Sequence, residues 1–281
     1  MIIGIIGNGF IGKAFRQLSN KYINILVYDV EPKLCVPPNT NFTDLLACDI
    51  IFISVPTPKN KDGSVHLEII QKVLNDLSKI KYKNDIIIRS TVPPGTCDNL
   101  KVNFMPEFLT EKNYKEDFIN NKIWIFGLLQ ITNTELIKKI TYIFNKSYDE
   151  KCIKFNRLEF IPNKEAELIK YFRNSFLSVK VSYCNEIYEY CQKKNINYNN
   201  MIKLAAADDR ISTSHTEVPG PDGKFGFGGT CFPKDCNGLL YDMKKNNMKS
   251  YILESVLNRN NQKDRPEQDW ENSIGRAVVK E

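Results

Sequence analysis

Apolar positions follow two rhythms along this chain, and the change comes near residue 160. Before it, short continuous apolar runs alternate with stretches of helical character. Residues 2–6 (IIGII) form an apolar run of strand length. A glycine cluster follows, and then KAFRQLSNKY, which reads as a helix. Residues 23–30 (INILVYDV) read as a second strand with Asp29 near its end. Residues 49–54 (DIIFIS) and 85–89 (DIIIR) read as two more, with a helix over residues 68–80 between them. Strands without polar alternation are buried on both faces, so this β–α–β order predicts a parallel sheet clad in helices. Residues 102–111 read as a strand running into a loop, 123–126 as another strand, and 132–145 as a helix. The first domain is expected to end near residue 155.

From Pro162 the period becomes helical. Asn163 is a candidate cap with acids in the first turn, opening a helix that runs to about Lys194. Its register sets Ala166, Ile169, Phe172, Phe176, Val179 and Tyr183 along one broad apolar stripe. A helix this long, apolar on several sides, suits a bridge between two subunits, so a homodimer through it is expected. Residues 200–207 read as a short helix and 212–224 as a polar loop. Helices over 234–245 and about 250–262 follow. The charged, proline-punctuated residues from Lys263 read as a short polar tail, partly ordered at best. The two domains are thus residues 1–155 and 156–281.

Composition narrows the partners. The 281 residues are 42% hydrophobic and 26% charged, an ordinary globular balance. The net charge of +6 is spread over many lysines, with no basic block interleaved with aromatics, so nucleic acid is not expected. The charge would help attract an anionic small molecule. No apolar run reaches membrane-spanning length, and the apolar start lacks a basic leader, so a cytoplasmic chain is expected. Eight cysteines form no CxxC pair and there are two histidines, His66 and His215, so no metal site is expected.

Chemistry concentrates in a few motifs. Gly7-Asn8-Gly9-Phe10-Ile11-Gly12 is GxGxxG between a strand and a helix, the setting in which glycines let a pyrophosphate approach the helix N-terminus. Asp29 stands where a ribose 2′-hydroxyl is held, and its charge repels a 2′-phosphate, so NAD is expected over NADP. Two loops at strand ends, Val55-Pro56-Thr57-Pro58 and residues 90–96 (STVPPGT), sit where open α/β sheets bind ligands. Glu107 and Glu111 are four apart and would share a face on a helical turn, as would Lys170 and Asn174. Solvated loop acids and a solvent-facing lysine and amide fit those spacings equally well. In residues 226–235 (GFGGTCFPKD), Pro233 suits the first turn of a helix. Cys231 then stands at a helix N-terminus, where the dipole favours thiolate, with Asp235 one turn on. A buried cysteine after a glycine turn fits the same local pattern.

The whole set, in order, resembles the UDP-glucose/GDP-mannose dehydrogenase family. The resemblance runs through the glycine motif, Val55 to Pro58, Ser90 to Thr96, Pro106-Glu107-Phe108-Leu109, EAELIKYFRN at 165–174 with SYCNE at 182–186, and Gly226 to Asp235. It implies a Rossmann-like parallel-sheet domain followed by an all-helical domain with a long central helix. It also implies NAD-dependent, four-electron oxidation of a nucleotide-sugar 6-hydroxyl to a carboxylate. Under this resemblance Cys231 is the nucleophile, forming a thiohemiacetal and then a thioester. Lys170 and Asn174 stabilise the oxyanion. Asp235 and Thr91, with a water, handle protons, and Glu111 assists thioester hydrolysis with Glu107 in the same site. Gly7, Gly9, Phe10, Ile11, Gly12, Asp29, Val55, Pro56, Thr57, Thr91 and Lys234 are the implied cofactor contacts. Glu107, Phe108, Leu109, Lys170, Asn174, Arg210, Phe225, Gly226 and Gly228 are the implied substrate contacts.

Family members normally continue into a third, Rossmann-like domain that grips the substrate's nucleotide, and this sequence ends before one. The expectations this leaves open are a smaller substrate, a domain borrowed from a partner, or lost catalysis, with residues 212–224 as a source of substitute contacts. Two other classes stay open: a two-electron hydroxyacid dehydrogenase of the 6-phosphogluconate dehydrogenase type, which needs no thiol, and a truncated NAD-binding protein without full activity.

Overall fold

The structure, a computed structural model, describes residues 1–280. It separates into two compact units, residues 1–57 with 67–170, and residues 58–66 with 171 onward.

The first unit is built on β1 (Ile2–Ile6), β2 (Asn24–Tyr28), β3 (Ile50–Ile53), β4 (Asp85–Ile88), β5 (Asn103–Phe104), β6 (Trp124–Leu128) and β7 (Leu158–Pro162). They form one sheet in the order β2-β1-β3-β4-β5-β6-β7. Every neighbouring pair is parallel except β5 with β6, which meet antiparallel through Phe104 and Gly127. The helices of this unit are α1 (Phe10–Phe15), α2 (Glu68–Lys79), α3 (Thr96–Leu100), α4 (Tyr114–Ile119) and α5 (Thr134–Asp149). Two hydrophobic clusters cover the two faces. Ile3, Ile5, Ile50, Phe52 and Ile87 enter one, while Ile2, Ile6, Ile51, Ile53 and Ile88 enter the other. Alternate residues of apolar strands therefore bury on both sides, as the unbroken runs predict. The order reverses at β1, with β2 on one side and β3 on the other, so the open crevice lies beyond their carboxyl ends.

The sheet runs past residue 155. β7 is an edge strand whose residues are half-buried or exposed, and its sequence, LEFIP, carries no continuous apolar signal. Residues 102–111, read as a strand running into a loop, are that: β5 takes Asn103 and Phe104, and loop follows.

The long helix is α6 (Asn163–Lys194), 32 residues and about 48 Å long. Its residues up to Lys170 group with the first unit and those from Tyr171 with the second. Gly127 of β6 shows why the start of α6 sits so close to the sheet. A Cβ there would come within 2.9 Å of both Ala166 Cβ and Asn163 Cα. The predicted stripe on α6 divides. Ala166 is buried and Ile169 and Val179 are half-buried, but Phe172, Phe176 and Tyr183 stand 63%, 58% and 63% exposed.

The second unit continues with α7 (Tyr198–Ala205), α8 (Phe232–Lys245) and α9 (Tyr251–Arg259). α8 starts two residues before the predicted position, with Pro233 in its first turn. The expectation of a loose tail is corrected. Residues 260–264 make a π-turn, 269–272 a 3₁₀ turn, and Arg265, Trp270 and Ala277 are 1%, 3% and 2% exposed. Lys59 N–H donates to the Ala277 carbonyl and Val279 N–H to the Lys59 carbonyl, so the end of the chain pairs with residues 58–66. Tryptophan and alanine burial, not charge count, decides that outcome.

Candidate active site

The glycine loop follows β1. Gly7 has φ +94°, and a Cβ there would lie 2.6 Å from the Ser54 carbonyl oxygen, so only glycine fits. Gly12 presses on the Gly7 carbonyl. Gly9, at the N-terminus of α1, differs: a Cβ would meet nothing within 4 Å. The loop is closed against its own strand neighbours and open at Gly9, the arrangement a diphosphate cradle needs. Phe10 and Ile11 form the first turn of α1 behind it. Asp29 stands just past β2, and its two oxygens accept Asn8 N–H at 2.7 Å and Glu31 N–H at 2.9 Å. Each oxygen keeps a lone pair for a ribose hydroxyl. Asn8 is buried and its Oδ1 has no partner. These residues fit NAD.

The two proline loops meet. Ser90 Oγ donates to the Val55 carbonyl at 2.6 Å, and Thr57 and Thr91 are buried while Pro56 is exposed. Beneath them lies Arg89, 2% exposed, stacked over Phe15 at 4.6 Å and donating to the Ile11 carbonyl at 3.4 Å. Burial pushes its guanidinium down to about 10, opposed by the Glu107 charge.

Glu107 and Lys170 form a buried ion pair at 2.6 Å, with side chains 3% and 4% exposed. Glu107 also accepts Leu109 N–H at 2.9 Å. The shared-face expectation for Glu107 and Glu111 does not hold. No helical turn joins them, and Glu111 is exposed at the loop's end. Phe108 and Leu109 are half-buried, each packed on one of the two hydrophobic clusters. One turn before Lys170, fully buried Glu167 accepts Gly95 N–H at 2.5 Å and Cys97 N–H at 2.8 Å, supplying the N-terminus of α3. Burial raises the Glu167 carboxyl above its ordinary value, against those N–H bonds.

In the second unit Cys231 is the N-cap residue of α8 and half-exposed. Of the other cysteines all but Cys152 are buried, and burial pushes Cys236 and Cys48 up to about 12. Asp235, 1% exposed, lies one turn inside the helix. Its carboxylate accepts Asn174 Nδ2 at 2.5 Å and Lys234 Nζ at 2.6 Å. Asn174 is one turn beyond Lys170 on α6.

The loop before Cys231 is shaped from a distance. Gly226 has φ +65° and abuts the Asn260 amide, while Gly228 sits on the Arg265 guanidinium. Asn260 holds Phe227 at both backbone groups, at 2.8 and 3.0 Å. Arg265 donates to the Phe225 carbonyl at 3.0 Å and to Asp222 at 2.6 Å. These two glycines thus serve a close approach of the chain to itself. Phe225 is 43% exposed with its ring against Tyr188. Arg210 is exposed and its fork grips Asp208.

Sequence reasoning passed over Asn8, Arg89, Glu167, Asn260 and Arg265. Glu167 had a signal, since it shares a helix face with Lys170. Asn260 and Arg265 had none, because they act across more than thirty residues of sequence.

The first unit has the form of a dinucleotide-binding α/β domain, joined to a helical unit carrying the cysteine motif. Residues 38–145 match the NAD binding domain of the UDP-glucose/GDP-mannose dehydrogenase family, and residues 164–262 match its central domain. The chain belongs to that family, and NAD is the cofactor of its first domain. Among similar curated proteins, the UDP-glucose 6-dehydrogenase of Rickettsia bellii is 33% identical over 79% of this chain and 51% of its own length. That of Campylobacter jejuni is 30% identical over 74% and 52%. The chain therefore spans about half the length of these relatives. Its fold is shared with a UDP-glucose dehydrogenase from Pyrobaculum islandicum, with TM-score 0.79, 22% identity and coverage of 92% and 67%. A 3-hydroxyisobutyrate dehydrogenase from Mycobacterium tuberculosis shares it too, with TM-score 0.70, 12% identity and coverage of 92% and 91%. Among the described residues, no helix is long and apolar enough to cross a membrane, and no cluster of three or more metal-ligating side chains occurs.

Proposed function

We propose that the chain oxidises the 6-hydroxyl of a nucleotide sugar to a carboxylate, holding the intermediate aldehyde on Cys231. The observation that carries this reading is the half-exposed thiol at the N-cap of α8, one turn from a buried Asp235 held by Asn174 and Lys234. A structural cysteine needs no such neighbour. Bound NAD supplies the hydride acceptor, twice per product. Asp235 and Thr91, through a water, take the hydroxyl proton as the first hydride leaves. The Cys231 thiolate then adds to the aldehyde carbon, and loss of the second hydride leaves a thioester. Lys170 and Asn174 donate to the sugar oxygen while it bears charge, with Lys170 turning from Glu107 to do so. Glu111 directs the water that cleaves the thioester, which returns the thiolate and releases the acid. Gly7, Gly9, Gly12 and Asp29 hold the dinucleotide. Phe225, Gly226 and Gly228 border the sugar, with Phe108, Leu109 and Arg210 as outer contacts.

We also infer a homodimer through α6. Leu168, Phe172, Phe176, Tyr183 and Tyr190 are 47–63% exposed and recur along one helix face, a run of uncovered apolar side chains that suits a protein interface. Sedimentation would report a dimer that Phe172→Glu with Phe176→Glu dissolves.

The test is incubation with NAD and a panel of nucleotide sugars, with NADH counted and product masses read. Two NADH per acid, lost in Cys231→Ser, are expected. One NADH with an aldehyde or ketone product would favour the two-electron hydroxyacid chemistry. Tight NAD binding without turnover would leave a binding protein.

A further inference from the structure

A cavity of about 290 Å³ opens in the first unit between α1, β2 and α4. Lys13, Arg16, Gln17 and Ser19 line it from α1 and the turn after it, Ile25 and Val36 form an apolar wall, and Tyr114 and Lys115 face it from α4. Three observations set it apart. The lining holds three cations and no carboxylate. None of the three makes an ion pair among the described residues, although other lysines of this unit do: Lys21 bonds Glu150, and Lys139 bonds Asp85. Lys13 and Arg16 are three apart on one helical face, where like charges repel. Lys13 and Lys115 are exposed and Arg16 is half-buried, so an anion entering the cavity would meet three cations that have no ion-pair partner among the described residues.

The place is separate from the dinucleotide crevice. The cavity touches none of Gly7, Gly9, Gly12, Asp29 or Val55. Ile25 is the second residue of β2 and Asp29 is just past its other end, roughly 13 Å away along the strand. The cavity thus opens near the amino ends of the strands, whereas the cofactor cradle lies at their carboxyl ends.

Size and lining define the occupant. Ligand cavities start at roughly 300 Å³, which suits a mononucleotide-sized ligand rather than a dinucleotide. A phosphate monoester carries about −1.5 to −2 charges at neutral pH, enough to engage several cations at once. Tyr114, Ile25 and Val36 offer an aromatic and apolar wall for a flat ring. We propose that this cavity is a second ligand site, which binds a small phosphorylated compound bearing a planar ring, of nucleoside-monophosphate size.

The test is calorimetric titration of the whole chain, held in saturating NAD, with adenosine and cytidine 5′-monophosphates, with inorganic phosphate and with adenosine. One equivalent of nucleotide should bind, more weakly as salt rises, and more tightly than phosphate or adenosine. Lys13→Gln with Arg16→Gln should reduce that affinity by about tenfold or more, the scale of a lost charged hydrogen bond. Lys115→Gln, on the opposite wall, gives an independent second variant should the first pair perturb folding. Binding unchanged in both variants, or no nucleotide binding beside bound NAD, would overturn the proposal. Phosphate binding as tightly as the nucleotides would refute the role of the ring. None of these readouts depends on turnover.

Discussion

The chain contains two glycine-rich loops, each leading into a helix N-terminus, and they are built on opposite plans. The loop at Gly7–Gly12 is shaped by its own neighbourhood: Gly7 fits under the Ser54 carbonyl and Gly12 fits on Gly7. Its one roomy position, Gly9, faces space that a ligand can fill. The loop at Gly226–Gly229 is shaped from afar. Asn260 and Arg265, from the last part of the chain, bind its backbone and occupy the room that Gly226 and Gly228 leave, while Gly229, just before Thr230 and Cys231, stays open. A local loop can be recognised from a short motif. A remotely held loop shows the same glycines for a different reason, and its integrity rests on residues that no motif contains.

The two tryptophans let this contrast be broken, because Trp124 belongs to the first unit and Trp270 to the second. Trp270→Phe and Trp124→Phe backgrounds report each unit separately in urea unfolding. Gly12→Ala should have the largest effect. Its methyl group meets backbone that cannot yield, so a loss of about 3 kcal/mol or more is expected in the Trp124 signal. Arg265→Ala should follow, costing roughly 2–4 kcal/mol in the Trp270 signal, since it strips a buried cation from a carbonyl and a carboxylate. Equal shifts of both tryptophans would refute the separation of the two plans.

Acid should act next, and on the second loop. Burial raises the Asp222 carboxyl, but the Arg265 hydrogen bond and the Lys224 N–H outweigh it and hold the group below its ordinary 3.8. A depressed carboxylate stabilises the fold above that value and loses the contribution as pH falls through the lower, folded value. The Trp270 midpoint should therefore drop below about pH 4 by more in the native chain than in Asp222→Asn. Gly9→Ala should have the smallest effect on folding, within about 0.5 kcal/mol. NAD affinity measured on the same protein should fall, because the added methyl occupies the open side of the cradle. A stability loss as large as that of Gly12→Ala would show that Gly9 is a packing residue after all.

These differences also explain what could be read in advance. β1 to β4 are apolar enough to announce themselves, and Asp29 and the first loop follow from adjacency in sequence. β7 was missed because an edge strand needs no apolar run. Glu107 looked like a solvated acid, and only the sheet brings it to Lys170, 63 residues away. The stripe on α6 was legible as a stripe, but periodicity does not say which apolar residues stay uncovered, and three aromatics do. Residues from 263 read as a tail because charge and proline dominate them. Trp270 and Ala277 reverse that reading by burial alone.

Besides Asn163 at its first residue, which donates to Asp98 and the Val102 carbonyl, the start of α6 carries two further anchors, Glu167 on the backbone of Gly95 and Cys97, and Lys170 on Glu107. They sit on one face, one turn apart, and grip two different loops of the sheet. A rod pinned at several points along its length can neither slide nor spin without releasing all of them. The start of this helix is therefore a fixed post, and its last anchored residue is also the last one that groups with the sheet. Any bending of the rod has to begin beyond Lys170, so amides of the first two turns should exchange with solvent more slowly than those near Lys194.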